Sequence, residues 1–229
     1  PIHSSAASDV YKRQIQAIAD QLISEWIDDG EVDLLNRLCV PLPIYVIADQ
    51  LGVPRSELTL LKKWSDASTS RLGRLADEEQ QIQNAKDIVE FQHYFADLID
   101  RMREHPEDNI ISDLANNTID EGRLLTKPEA LGMIQQILVA GNETSTNAIA
   151  GGVVLLIENA EEQAKLRANP DLIPTAVEEI LRLETPTSGM WRRATQDTEI
   201  DGVAIPEGSF LMVRFAAGNR DCLLYTSDA

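Results

Sequence analysis

An acid and an alcohol stand side by side in the segment AGNET, residues 140–144. The Thr144 hydroxyl can donate to the carbonyl of Ala140, which would loosen the helix locally and open a groove for water or a small molecule. Gly141 has no side chain, so a large flat ligand could approach the backbone there, and Glu143 supplies a carboxylate able to pass protons from solvent. These residue types predict a proton relay at a helix distortion. In the alternative interpretation, Thr144 only satisfies itself within the helix and Glu143 is solvated on the far side.

A long central helix must position this segment. Thr126 and Glu129 have the spacing of a capping box, Pro128 suits a first helical turn, and no further proline occurs until Pro170. The sequence is apolar at residues 133–139 and 153–157, while the polar and small residues 140–147 between them have low helix propensity. We therefore predict one helix over residues 126–159 whose polar middle lines a site.

Two further groups follow this helix. Glu179 and Arg182 lie three residues apart in a short predicted helix, and without further context they form an exposed ion pair. Residues 191–195 predict a strand in which Arg192 and Arg193 point to opposite faces, and a solvated arginine is the simple interpretation of either. Residues 199–204 and 209–215 predict a hairpin around the turn at 205–208.

The order AGNET, EEILR and RRATQDTEIDGVAIPEGSFLMVRFAAGNRD resembles the cytochrome P450 haem-thiolate monooxygenases of the soluble bacterial kind. The likeness covers residues 15–221. It implies a mainly α fold with a small β subdomain, a cytochrome P450 fold that is incomplete at both ends. It also implies a haem-dependent monooxygenase that hydroxylates a small organic substrate with O2 and two electrons from a redox partner.

The resemblance assigns roles to the residues of the central helix. Glu143 and Thr144 would be catalytic: Thr144 would hold the oxygen and its water, and Glu143 would deliver protons. Ala140, Gly141 and Thr144 would contact the cofactor, haem b (iron protoporphyrin IX), with Gly141 leaving room beside it.

The downstream residues also receive roles from the resemblance. Arg192 would pair with a haem propionate, because a planar guanidinium suits a carboxylate, and Arg193 would do so if the strand register shifts by one. Glu179 and Arg182 would form a buried structural pair that joins a downstream arginine and holds the haem-side core together.

The family's axial ligand is a cysteine in a glycine-rich loop beyond the Asn-Arg-Asp segment, and no such loop is present. Cys222 follows Asp221 directly without that context, so we predict that it is not the ligand and assign no metal ligand. We expect this chain, as an inactive internal fragment, not to retain haem as a thiolate complex.

Composition limits the partners. The net charge of -18 and pI of about 4.4 argue against nucleic acid and anionic membranes, and no membrane anchor is apparent. Two cysteines give no disulfide framework. We expect a cytoplasmic protein with a small hydrophobic substrate, O2 and a ferredoxin- or flavodoxin-type electron donor. The alternative function is a non-catalytic, all-helical interaction or scaffold protein that uses its acidic surface.

Both ends differ from the rest of the chain. Residues 1–14 and 222–229 lack periodicity continuous with their neighbours and resemble translated adapter sequence, so we predict a partial P450 domain over residues 15–221 between non-native ends. In the alternative interpretation they are ordinary frayed termini. We interpret residues 68–76 as a loop and Trp64 as a core residue.

Overall fold

The computed structural model describes residues 5–73, 76–119 and 122–222. The chain divides into two compact units, Pro1–Thr146 and Asn147–Ala229, and each has its own packing. The helices are α1 (Ser5–Ser24), α2 (Pro41–Leu51), α3 (Leu58–Gly73), α4 (Glu78–Glu104), α5 (Ile110–Asn116), α6 (Lys127–Glu158), α7 (Ala160–Ala168), α8 (Ile173–Glu184) and α9 (Phe215–Gly218). The strands are β1 (Met190–Arg193), β2 (Thr198–Ile200), β3 (Val203–Ile205) and β4 (Phe210–Val213). The predicted mainly α fold with a small β part is confirmed.

An aromatic cluster lies at the centre of the first unit. Trp64 of α3 is 1% exposed, and its ring centroid lies 5.9 Å from that of Phe91 and 5.8 Å from that of Phe95, both on α4. Burying an apolar side chain of this size stabilises a fold by about 1.5–3 kcal/mol. The prediction that Trp64 is a core residue is confirmed.

The central helix α6 begins at the predicted capping box. The backbone N–H of Thr126 donates to the Glu129 carboxylate at 2.8 Å, and the Thr126 hydroxyl donates to the same oxygen at 2.7 Å. Arg123 adds two hydrogen bonds to this carboxylate, each of 2.9 Å, and these bonds lower the pKa of Glu129 to about 2. The cap fixes the residue at which α6 starts.

One face of α6 packs into the core of the first unit. Ala130, Ile134 and Leu138 are fully buried at intervals of four residues, and Asn142 continues the series with 1% exposure. A spacing of four residues keeps side chains on one side of a helix over a few turns. The four-residue spacing therefore defines the buried face of α6, and the last residue in this series, Asn142, is polar.

In the second unit, α8 lies against α6 at two adjacent glycines. A Cβ on Gly152 would lie 2.9 Å from Cγ2 of Ile180, and a Cβ on Gly151 would collide with the Glu184 carboxylate. Both glycines therefore allow a close approach of the two helices, because a larger residue would have to displace the side chain of Ile180 or Glu184.

The predicted hairpin is wrong in its pairing. Residues 199–204 do not form one strand: β2 and β3 pair with each other through a two-residue turn at Asp201-Gly202. The φ angles there are 49° and 80°, and a type I′ turn requires positive values at both positions. The strand β4 pairs instead with β1, with Trp191 opposite Met212. The Asp-Gly dipeptide is a stronger turn signal than the Pro-Glu-Gly stretch that the prediction used.

Two segment boundaries also differ from prediction. The loop expected over residues 68–76 is helical up to Gly73, where α3 ends, and residues 74 and 75 lie outside the described part of the chain. The helix α1 already begins at Ser5 and so includes residues expected to be non-native. Helix formation does not test their origin, which stays a prediction, and residues 1–4 and 223–229 lie outside the described ranges.

None of the described helices has both the length and the apolar character needed to span a membrane.

Candidate functional site

The face of α6 opposite its buried stripe carries Ala140 and Thr144. Ala140 is exposed and Thr144 is half-buried, and the Thr144 hydroxyl donates to the Ala140 carbonyl at 2.5 Å. The predicted hydrogen bond is confirmed, while its role in a relay stays a prediction. The carbonyl oxygen of Ala140 thus accepts a side-chain hydrogen bond in addition to its backbone bond in the helix, which weakens the backbone bond. The first unit therefore leaves an uncovered patch with a small side chain and a hydroxyl.

Gly141 lies on a different side of the helix from this patch. A Cβ built on it would lie 3.1 Å from Cδ1 and 3.5 Å from Cγ1 of Ile47, a residue of α2. The missing side chain makes room for Ile47, in contrast to the expectation that it makes room for a flat ligand. Whether Gly141 also contacts a cofactor through its backbone stays a prediction.

Asn142 is a residue that the sequence argument missed. Its side-chain amide donates to the hydroxyl of Ser65 on α3 at 2.9 Å, and Ser65 has no exposed surface. The i, i+4 series that begins at Ala130 reaches position 142, so periodicity could have placed this residue in the core. Its polarity obscured the series.

Glu143 completes the acid–alcohol pair. The residue is half-buried, and among the described residues no donor forms a hydrogen bond with its carboxylate. One turn further on, the Thr146 hydroxyl donates to the carbonyl of Cys39 at 3.0 Å, which ties this part of α6 to the π-helix Leu35–Cys39. The Glu143 carboxylate thus has no hydrogen-bond donor among the described residues. The helix around it is fixed by the bonds of Asn142 to Ser65 and of Thr146 to Cys39.

The predicted pair on α8, Glu179 and Arg182, is a bidentate ion pair. Arg182 donates from Nε to Glu179 at 2.7 Å and from Nη2 at 2.5 Å, and these hydrogen bonds lower the pKa of Glu179. A third donor, Nη1, reaches the carbonyl of Asn219 at 2.8 Å. The Glu179 side chain is 53% exposed, so the expected burial is not observed in the described chain.

A second contact fastens the end of the same helix. Thr185 is buried with a φ of 43°, its hydroxyl donates to the carbonyl of Arg182 at 2.8 Å, and it accepts from the Asn219 side chain at 2.9 Å. A residue other than glycine in this conformation is strained and needs such support. The Asn-Arg-Asp segment therefore holds the carboxyl end of α8.

Arg192 and Arg193 differ in what they contact. The guanidinium of Arg193 lies 5.9 Å from the ring centroid of Phe210, its cross-strand partner. Arg192 is exposed and donates to the carbonyl of Trp191 at 3.0 Å. No described carboxylate forms an ion pair with Arg192.

The predicted site residues fall in both units. Ala140, Gly141, Glu143 and Thr144 occupy one stretch of α6 in the first unit, whereas Arg192 belongs to the second unit together with the Glu179 pair. Among the described residues, no three His, Cys, Asp or Glu side chains are grouped so that they could hold a metal ion.

Comparison with known proteins gives a consistent result. The family model described as Cytochrome P450 matches residues 53–227. The putative cytochrome P450 YjiB of Bacillus subtilis (strain 168) is 36% identical over 92% of this chain and 54% of its own length. The cytochrome P450 monooxygenase PikC of Streptomyces venezuelae is 35% identical over 93% of this chain and 50% of its own length.

Solved structures agree with these relatives. The crystal structure of P450BioI in complex with an acyl carrier protein ligated to hexadec-9Z-enoic acid has a TM-score of 0.88 and 31% identity, and covers 97% of this chain and 57% of that one. The chain spans about half the length of the curated relatives it matches. The fold predicted from the order of AGNET, EEILR and the β-rich segment is confirmed. The chain belongs to the cytochrome P450 family.

Proposed function

We propose that this chain is part of a haem-thiolate monooxygenase that hydroxylates a small hydrophobic substrate with O2 and two electrons from a ferredoxin- or flavodoxin-type donor in the cytoplasm. The observation that carries the proposal is the uncovered patch of Ala140 and Thr144 on α6, with Glu143 next to Thr144 in sequence. Relatives named as monooxygenases and hydroxylases, such as PikC and the 6-deoxyerythronolide B hydroxylase of Saccharopolyspora erythraea, support the reaction class.

Each unit, taken by itself, contains a residue whose chemistry suits contact with a haem. Ala140 is small and exposed, so a flat ring can approach the helix there. Arg192 is exposed and has no acidic partner among the described residues, which suits pairing with a propionate. Arg193 is already placed over Phe210, and this contact favours Arg192 as the propionate partner.

The residues present do not fit the axial position. Cys39 has no exposed surface, and burial raises the pKa of its thiol, which opposes the thiolate form that binds iron. Cys222 comes directly after the Asn-Arg-Asp segment and lacks a glycine-rich loop around it. We propose that the ligand belongs to the part of the relatives' length that this chain does not span.

When bound, the haem supplies the reductive activation of dioxygen and the transfer of one oxygen atom to the substrate. The contribution of this chain is to hold and move protons beside it. The Thr144 Oγ can accept a hydrogen bond while its own proton stays directed at the Ala140 carbonyl, or it can turn that proton outward. The carboxylate of Glu143, which accepts no hydrogen bond from the described residues, can take a proton from solvent and pass it toward Thr144 Oγ.

The test is substitution in the intact enzyme. Thr144→Ala removes the hydroxyl, and Thr144→Ser keeps it as a matched control. We expect Thr144→Ala to consume electrons while product per electron falls about tenfold or more, because a positioned proton donor typically contributes at least that factor. Thr144→Ser should keep most of the coupling. Full coupling in Thr144→Ala would remove the relay from the proposal.

A further inference from the structure

Asn142 is a polar residue at the end of an apolar buried stripe. Ala130, Ile134 and Leu138, which precede it at intervals of four, have no exposed surface, and Asn142 itself has 1%. Burying a side-chain amide is costly unless it forms hydrogen bonds. Its burial therefore requires a structural reason, and the proton relay proposed above does not provide one.

The amide has one partner. Its Nδ2 donates to Oγ of Ser65 at 2.9 Å, and Ser65 has no exposed surface, so water does not compete for this bond. The amide oxygen Oδ1 is buried without a partner among the described residues. Among the described residues, the hydrogen bonding of the Asn142 side chain therefore rests on the bond to Ser65, which joins α6 to α3.

The position of Asn142 between Ala140 and Thr144 gives this bond a directional effect. Successive helical residues are turned by about 100°, so a residue two places away lies roughly 200° around the axis. Asn142 is two places from both Ala140 and Thr144, and it therefore points away from both. Directing Asn142 into the core turns Ala140 and Thr144 outward.

We propose that Asn142 and Ser65 form a positioning pair that sets the rotation of α6 at the acid–alcohol segment. The pair keeps Ala140 and Thr144 on the uncovered face and leaves Gly141 against Ile47. The importance of this rotation for catalysis rests on the proposed function, but the rotation itself is a property of this chain and is measurable without haem or substrate.

The chain contains a matched control on the same pair of helices. Gln135 of α6 donates from its side-chain amide to Oγ of Ser68 on α3 at 3.1 Å, in a partly buried setting. Ser68→Ala also removes a hydrogen bond between these two helices. Its partner in α6, Gln135, lies nine residues before Thr144. If the substitutions only weaken the packing of α3 against α6, both should affect Thr144. If the Ser65 bond positions Thr144, only loss of that bond should affect it.

The experiment measures Thr144 directly in the 229-residue chain. The threonine methyl signals are recorded by NMR, and amide hydrogen exchange is followed over residues 142–146 in the unsubstituted chain, Ser65→Ala, Ser68→Ala and Asn142→Leu. In Ser65→Ala, we expect the Thr144 methyl signal to move and exchange over residues 142–146 to accelerate about fivefold or more, the factor for losing one ordinary hydrogen bond. Ser68→Ala should leave the Thr144 signal in place.

The Asn142→Leu variant keeps a side chain of similar size and removes the bond from the other side. It should move the Thr144 signal as well, and adding Ser65→Ala to it should have no further effect because the bond is already lost. An unchanged Thr144 signal in both single variants would overturn the proposal. Equal effects of Ser65→Ala and Ser68→Ala, or additive effects of Ser65→Ala and Asn142→Leu, would also overturn it.

Failure of the proposed function would give a different pattern. In the intact enzyme, Thr144→Ala would then keep full coupling, whereas the response of Thr144 to Ser65→Ala in this chain would be unaffected.

Discussion

Substituting Gly141 with alanine tests what this glycine is for. If its role were to admit a ligand, Gly141→Ala would not harm the chain without ligand, and it would add helix propensity of about 1 kcal/mol. In the structure the Cβ direction meets Cδ1 of Ile47 at 3.1 Å, well inside the 3.5–4.0 Å at which two carbon atoms attract best. The added methyl group must therefore displace Ile47 of α2.

The two effects of the substitution oppose each other. Overpacking a well-filled core costs about 1–3 kcal/mol, and the gain in propensity offsets about 1 kcal/mol of it. We expect Gly141→Ala to lower the free energy of unfolding by about 0–2 kcal/mol. Gly132 lies in the same helix with nothing within 4 Å of its Cβ position, so Gly132→Ala should raise it by about 1 kcal/mol.

Ile47→Val isolates the contact, because it removes the Cδ1 atom that the new methyl would meet. Alone it should cost about 1 kcal/mol. In the Ile47→Val background, Gly141→Ala should become stabilising by about 1 kcal/mol, since the clash is gone and the propensity gain remains. Urea unfolding of the four combinations, followed by the fluorescence of the buried Trp64, gives the coupling energy. Gly141→Ala that stabilises the chain as much as Gly132→Ala would refute the assignment of this glycine to Ile47.

Two further predictions concern the helix cap and the cysteines. The folded pKa of Glu129, about 2, lies below its ordinary 4.5, so its contribution to stability is complete above pH 4.5 and is lost as pH falls toward 2. The protection factors of the first-turn amides of α6, taken relative to the intrinsic exchange rate at each pH, should fall over that window, and Glu129→Ala should show the lower protection at every pH. The purified chain mixed with haem should give no carbonyl-difference band of the thiolate type, because Cys39 is buried and Cys222 lacks the ligand loop. A band that appears and then disappears in Cys222→Ser would contradict this prediction.

The helices were predictable because their signals are local. The Thr126–Glu129 capping box marks the start of α6, and Asp77, whose side chain accepts from the backbone N–H of Gln80 at 2.8 Å, marks the start of α4. Such signals act within one turn and do not depend on partners elsewhere in the chain. The hydrogen bond from Thr144 to Ala140 is local in the same sense, which explains why residue types alone predicted it.

The errors occurred where a choice between partners had to be made. The Asp201-Gly202 turn and the pairing of β4 with β1 depend on which strands meet, and this information is not carried by either strand alone. The end of α3 was also misplaced: the serine, glycine and arginine residues of 68–76 predict a loop, whereas the helix continues to Gly73.

The AGNET segment shows the same limit within a single helical turn. Its low helix propensity suggested one polar site, yet its residues point in different directions and meet different neighbours. Gly141 accommodates Ile47, Asn142 is bonded to Ser65, and only Ala140 and Thr144 share the uncovered face. Residue types therefore predicted which chemistry was available, while the contacts decide which of these side chains can take part in it. Gly141 against Ile47 and the buried Asn142 leave Ala140 and the Thr144 hydroxyl on the face that a ligand can reach, with the half-buried Glu143 next to Thr144 in sequence.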